Sequence, residues 1–295
     1  MEIIQNSPRA WLLAARPKTL TAAAIPIMGA VALAIHDSVW HIAQSLLCLA
    51  FACGMQIAAN FINDLYDFLR GTDREDRLGP ERACQQGWIS PSAMKWGIGI
   101  AIFLSCLAGL GVLALAKLPY GGWEIVALGA VCVLFAFLYT TRLSYSGWGD
   151  VLVVVFFGFV PVGGTYYVQS PHLTWDVTVV SLCCGLLIDT LLVVNNFRDR
   201  EQDALSGKRT LVVRYGGHFG AGLYLGLGIG ATALALWFAD GWDIPLPLLY
   251  LALHIRTWYR MISIGKGKKL NSILGETSRN MLFMGAMLAC TILLP

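Results

Sequence analysis

Two short stretches of the chain carry carboxylates and carboxamides at helical spacing. The first reads Asn60, Asn63, Asp64 and Asp67, continuing to Asp73 and Asp76; the second reads Asn195, Asn196, Asp199 and Asp203. At about 100° per residue, Asn60, Asn63, Asp64 and Asp67 project from one helix face, and Asn196, Asp199 and Asp203 do the same. Both arrays end long apolar runs, where a carboxylate costs up to about 2.5–3.5 kcal/mol at mid-helix and less at the ends. Two acidic faces meeting across a cavity would repel unless a cation lay between them. Oxygen-only donors suit Mg²⁺, which takes a few carboxylates, keeps several waters and is completed by substrate phosphates. Arg198, Lys208 and Arg209 stand close by in sequence and could neutralise a diphosphate, although a loop on the positive side of a membrane would be basic for topological reasons as well. The plainer reading, polar helix ends in the headgroup region paired with arginines, fits a single aspartate better than it fits two matched arrays on one side.

The elements that must position these residues are helices in a bilayer. Of the 295 residues, 57% are hydrophobic and 13% charged, with a mean hydropathy of +0.64, too little polar cover for a water-soluble surface. About nine apolar stretches have the length that crosses a ~30 Å hydrocarbon core, near 20–36, 42–69, 93–116, 122–140, 148–168, 175–197, 218–239, 244–264 and 273–294. They are apolar on every side and lack the alternation of a barrel strand, so the expectation is an all-α integral membrane protein around a central cavity. The arrays close the second and sixth stretches, four apart. This predicts a single domain of two related four-helix halves, about 20–140 and 148–264, with a last helix at 273–294.

The basic residues give the orientation. With the N-terminus cytoplasmic, every lysine and arginine except Lys117 falls in the N-terminal tail or on the inner side of an even-numbered stretch, so both arrays face the cytoplasm across the cytoplasmic (inner) membrane. A cleavable signal peptide ending near Ala32-Leu33-Ala34 is the rival for the start; retaining the segment keeps the charge pattern consistent.

Other signals carry less. The eight cysteines show neither a disulfide framework nor a zinc spacing, and the five histidines form no ligand pattern. Gly207-Lys208-Arg209-Thr210 looks like the end of a P-loop, but Arg209 stands at the Ser/Thr position. Gly226, Gly228 and Gly230 suit close helix packing. Asp189, in the middle of the sixth stretch, reads as a buried polar contact to a neighbouring helix before it reads as a catalytic group.

The two arrays resemble the paired aspartate-rich motifs of the UbiA superfamily of intramembrane prenyltransferases. Within it, the chain is most similar to the branch acting on 1,4-dihydroxy-2-naphthoate in menaquinone synthesis. The residues carrying this are Ala15-Arg16-Pro17-Lys18-Thr19-Leu20, Asn63-Asp64-Leu65-Tyr66-Asp67 with Gly71-Thr72-Asp73, Asp76-Arg77-Leu78-Gly79-Pro80, Asn195-Asn196-Phe197-Arg198-Asp199 with Gly207–Leu211, and Phe156-Phe157-Gly158 with Gly164–Tyr167. The likeness covers nearly the whole chain. Gly71 stands where the wider superfamily often has an aspartate, with Asp73 two residues later, and the loop after Tyr139 is shorter than in the naphthoate branch.

The resemblance implies Mg²⁺-dependent ionisation of a polyprenyl diphosphate and prenylation of 1,4-dihydroxy-2-naphthoate with loss of its carboxylate. It implies that Asn63, Asp67, Asp199 and Asp203 hold the metal and diphosphate, supported by Asp64 and Asp73, with Asn60, Arg142, Asn196, Arg198, Lys208 and Arg209 binding substrate. The prenyl tail would enter from membrane lipid; nucleic acid and an obligate protein partner are not expected. The rivals are another aromatic acceptor such as 4-hydroxybenzoate, a CDP-alcohol phosphotransferase, whose compact single array is missing, and a secondary transporter, whose coupling residues belong nearer the midplane.

Overall fold

The computed structural model describes residues 3–71, 77–116 and 118–294. Asp73 and Asp76 of the first array lie outside the described residues, as does Lys117.

The chain enters through a short helix the hydropathy pattern did not predict, α1 (Pro8–Ala15), started by Pro8 at its first position and by the Ser7 hydroxyl, which accepts from the Ala10 N–H at 3.3 Å. Arg16 ends it in the left-handed region (φ 52°), and a 3₁₀ turn at Pro17–Thr19 sets the chain into α2 (Leu20–His36). The long helices follow: α3 (Ile42–Leu69), α4 (Pro91–Leu115) and α5 (Trp123–Thr141). Next come α6 (Gly149–Val153), a π-helical turn at Val154–Phe159 and α7 (Val160–Tyr167), which form one continuous rod. Then come α8 (Trp175–Leu205), α9 (Leu211–Ala235), α10 (Pro245–Ile264) and α11 (Leu270–Leu293).

Helices thus occupy each of the nine expected positions. Among the described residues seven are long and apolar enough to cross a membrane by length and composition: Pro8–His36, α3, α4, α5, Gly149–Tyr167, α8 and α9. Helices α10 and α11 fall short because Arg256 and Arg260 interrupt one, and Glu276 and Arg279 the other.

Helix α8 is the hub. Its most apolar window is 72% buried, against 6% for α5, and its Val180, Cys183, Cys184 and Leu187 sit in a core shared with α2, α7, α9, α10 and α11. The π turn meets it backbone to backbone: a Cβ at Gly158 would stand 2.3 Å from the Ser181 carbonyl oxygen, and one at Gly185 would stand 2.9 Å from the Val154 Cα. Only glycine permits this approach.

Two boundaries depart from the hydropathy reading. Helix α8 runs on through its acidic array to Leu205, because Asn196, Asp199 and Asp203 share one face and leave the helix amphipathic. Helix α9 begins at Leu211, capped by the Thr210 hydroxyl, which accepts from the Val213 N–H; the expected start near 218 lies just beyond a break at Gly216 (φ 86°).

Candidate active site

The first array divides between two neighbours. Asp64, 1% exposed, accepts from the Ala83 and Cys84 N–H groups, both at 2.8 Å, and so clamps the loop that follows α3 onto the helix. Asn60 donates to the Ala15 carbonyl and the Thr19 hydroxyl, both at 2.9 Å, fixing the corner between α1 and α2. Asn63 and Asp67 turn the other way, into a cavity of about 840 Å³. Asn63 accepts from the Thr140 hydroxyl, and Asp67 pairs with Arg82 at 2.6 Å.

The second array lines the same cavity with Asn195, Asn196, Asp199 and Asp203. Arg198, 3% exposed, holds its neighbour Asp199 with two bonds (Nε to Oδ1 at 2.7 Å, Nη2 to Oδ2 at 2.5 Å). Its Nη1 donates to Asn271 Oδ1 at 2.9 Å, and Asn271 Nδ2 donates to the Leu78 carbonyl at 2.8 Å. This relay ties the loop after the first array to the second array through α11. Lys208 reaches Asp203 at 3.1 Å. Burial alone would lower the Lys208 pKa, but the Asp203 and Asp67 carboxylates outweigh it and hold it above the ordinary lysine value. One ammonium therefore feels a carboxylate from each array.

The described lining is cationic in balance, with Arg16, Lys18, Arg77, Arg82, Arg198 and Lys208 against Asp67, Asp150, Asp199 and Asp203, six against four. Arg16 lies in the field of Arg82 and Arg77, and its Nη2 is buried without a hydrogen-bond partner. Clustered guanidiniums with an unspent donor suit an anion with several oxygens. Among the described residues no three His, Cys, Asp or Glu side chains converge tightly enough to hold a cation unaided, since Asp67, Asp199 and Asp203 each lean on a basic partner. The oxygen donors of Asn63, Asp67, Asp199 and Asp203 nevertheless fit Mg²⁺ delivered with a phosphate-bearing substrate, which would complete the coordination and engage the basic partners.

A second cavity, about 660 Å³ and almost wholly apolar, runs from this one between α2, α3, α4, α5, α7 and α8. Thr19, Asn63, Tyr139, Leu191, Leu192 and Asn195 line both. Phe135 and Phe156 stack across its wall with centroids 3.5 Å apart.

Of the residues expected from the sequence, Asn63, Asp67, Asn196, Arg198, Asp199, Asp203 and Lys208 come together around the polar cavity. Four do not line it. Asn60 and Asp64 face structural partners as described; Arg142 ends α5, its N–H donating to the Leu138 carbonyl; and the Arg209 N–H donates to the Tyr145 carbonyl in the turn beside Gly147. Asp189 is 2% exposed, but its Oδ1 has no hydrogen-bond partner, in contrast to the polar contact expected of it. The cavity also contains Arg16, Lys18, Arg77, Arg82, Tyr139 and Asn271, which residue spacing did not mark. Arg16 and Lys18 were visible only as part of a motif, and Arg82 only as one basic residue of several.

The UbiA prenyltransferase family matches residues 23–274. The chain belongs to that family. It is 36% identical to a 1,4-dihydroxy-2-naphthoate octaprenyltransferase of Mycobacterium tuberculosis over 92% of each chain. It is 38% identical to the protein of that name from Escherichia coli, over 70% of this chain and 69% of the relative. Among solved structures, a UbiA homologue from Archaeoglobus fulgidus bound to GPP and Mg²⁺ shares its fold, with a TM-score of 0.66 at 15% identity, covering 96% of this chain and 99% of the other. The UbiA-family chain described here is thus a multi-pass, all-helical prenyltransferase.

Proposed function

We propose that this prenyltransferase moves a polyprenyl group from polyprenyl diphosphate to 1,4-dihydroxy-2-naphthoate, with loss of the acceptor's carboxylate as CO₂, giving demethylmenaquinone in its quinol form. The observation that carries this reading is the pairing of chambers: both acidic arrays line one cationic cavity, and that cavity opens directly onto an apolar one. An allylic diphosphate has this same division into an anionic head and a hydrocarbon tail. The acceptor follows from the relatives at 36–38% identity that carry the naphthoate name.

Asn63, Asp67, Asp199 and Asp203 would hold a Mg²⁺ ion that, when bound, neutralises charge on the departing diphosphate. Arg16, Arg77, Arg82 and Lys208 grip the phosphate oxygens where negative charge develops. Arg198 keeps Asp199 directed into the cavity. The apolar chamber takes the tail and keeps water from the allylic cation, and Tyr139 lies at the junction of the two chambers. The ring carbon bearing the carboxylate forms the new C–C bond as the prenyl C–O bond breaks. The N-terminus and the active site face the cytoplasm across the inner membrane on this reading, because that side collects the basic residues. Helices α3 and α8, each ending in an acidic array at one cavity, are read as equivalent members of two related halves.

Purified protein in detergent, given Mg²⁺ and geranyl or longer diphosphates, should prenylate 1,4-dihydroxy-2-naphthoate in preference to 4-hydroxybenzoate, with CO₂ released in equal amount. Preference for the benzoate would overturn the acceptor. Full activity in both Asp67→Ala and Asp199→Ala would overturn the site.

A further inference from the structure

Where the polar and apolar cavities meet, one carboxylate has no place in the account given so far. Asp150, at the start of α6, lines the polar cavity, is 7% exposed, and its Oδ1 has no hydrogen-bond donor. Tyr139 stands beside it: a Cβ on the adjacent Gly149 would lie 3.8 Å from the tyrosine hydroxyl and 3.5 Å from the Leu192 side chain. Tyr139 and Leu192 both line the two chambers, so the turn carrying Asp150 abuts the junction where the prenyl C1 must lie if the head and tail occupy the chambers as proposed. Asp189 lies within its electrostatic reach.

A desolvated carboxylate oxygen with no donor is costly to maintain unless something supplies one. The candidates are the parts of the two substrates. The diphosphate head is anionic and would be repelled by Asp150; the Arg16 and Arg82 region suits it instead. The prenyl tail has no polar hydrogen. The remaining group is a hydroxyl on an electron-rich aromatic ring. We infer that Asp150 is the acceptor-binding residue, its carboxylate taking a hydrogen bond from a phenolic hydroxyl and fixing the ring at the junction of the two chambers. This rests on the prenyl-transfer reading above. Such a bond also draws the hydroxyl proton away from the ring and raises the electron density of the carbon that attacks, so one contact serves both orientation and reactivity.

The test uses steady-state kinetics of the enzyme in detergent with three acceptors, 1,4-dihydroxy-2-naphthoate and its two mono-O-methyl regioisomers. Asp150→Ala should raise the acceptor KM about tenfold or more, the range for hydrogen bonds to charged groups, and leave the KM for prenyl diphosphate unchanged. Methylation of the bound hydroxyl should penalise the wild type and add nothing further in the variant. Asp150→Asn, which keeps the volume, should fall between the two and guards against a folding defect in the alanine variant. Wild-type transfer with an unchanged acceptor KM in both variants, or an equal methylation penalty with and without Asp150, would overturn this inference alone. A wild-type enzyme that transfers no prenyl group would overturn the function and this inference with it.

Discussion

Replacing Asp64 by asparagine separates a structural role from a chemical one. Asp64 is buried and receives two backbone N–H groups at 2.8 Å from Ala83 and Cys84. An asparagine of the same shape offers one carbonyl oxygen and turns an NH₂ toward the other N–H. One charge-assisted bond is lost and one buried donor is stranded, together about 2–4 kcal/mol. The loop also carries Arg82, the partner of Asp67, so its release loosens the cavity wall. At about 1.4 kcal/mol per factor of ten, the open population of the loop should rise roughly 30- to 700-fold. Cys84 reports this directly, since the residue is only 4% exposed in the closed loop. Maleimide labelling resolved by peptide mass spectrometry, needed because Cys106 and Cys290 are exposed already, should show Cys84 labelling accelerated by that factor. A loss of activity with an unchanged Cys84 labelling rate would refute the clamp and return Asp64 to the chemistry.

Two other perturbations bear on the frame and the charge balance. Gly158→Ala places a Cβ 2.3 Å from a backbone oxygen of α8, which has little freedom to move, and should cost about 1–3 kcal/mol in detergent unfolding; an unchanged transition would mean that the two helices do not touch there. Lys208→Met should raise the KM for prenyl diphosphate by about tenfold or more. Because the Lys208 pKa is held above its ordinary value, the ammonium is present throughout the neutral range and its contribution fades only as pH rises past about 10.4; a penalty already waning between pH 7 and pH 9 would contradict that.

Much of this molecule was legible in the residues. The apolar runs located the helices because a bilayer imposes a length on them, and the acidic residues stood out because the surrounding hydrocarbon makes them expensive. The errors have physical causes too. Asn60, Asn63, Asp64 and Asp67 do share one face, but that face spans an arc of about 100°, wide enough to be divided between a cavity on the Asn63–Asp67 edge and protein partners on the Asn60–Asp64 edge. Periodicity gives the arc and says nothing of what packs against each side. The apolar stretch ends before α8 does because a hydropathy window stops where charge begins, whereas the helix continues through Asn196, Asp199 and Asp203, as their shared face implied. Helix α1 carries an ordinary Ser-Pro start, yet at eight residues it is too short for a bilayer-length filter. The partners Ala83, Cys84 and Asn271 lie between 19 and 193 residues from the groups they hold or bridge, separations that no local pattern encodes.

The central claim is that both arrays serve one bound metal and one diphosphate. Calorimetric titration of geranyl diphosphate into the purified protein, with and without Mg²⁺, tests it most directly in the wild type, Asp67→Ala, Asp199→Ala and the double variant. Wild-type binding should require Mg²⁺, each single change should remove most of that Mg²⁺-dependent affinity, and the double change should add little to either, since the residues act as one unit. Losses that simply add, or binding indifferent to Mg²⁺, would mean that the two arrays do not share a site.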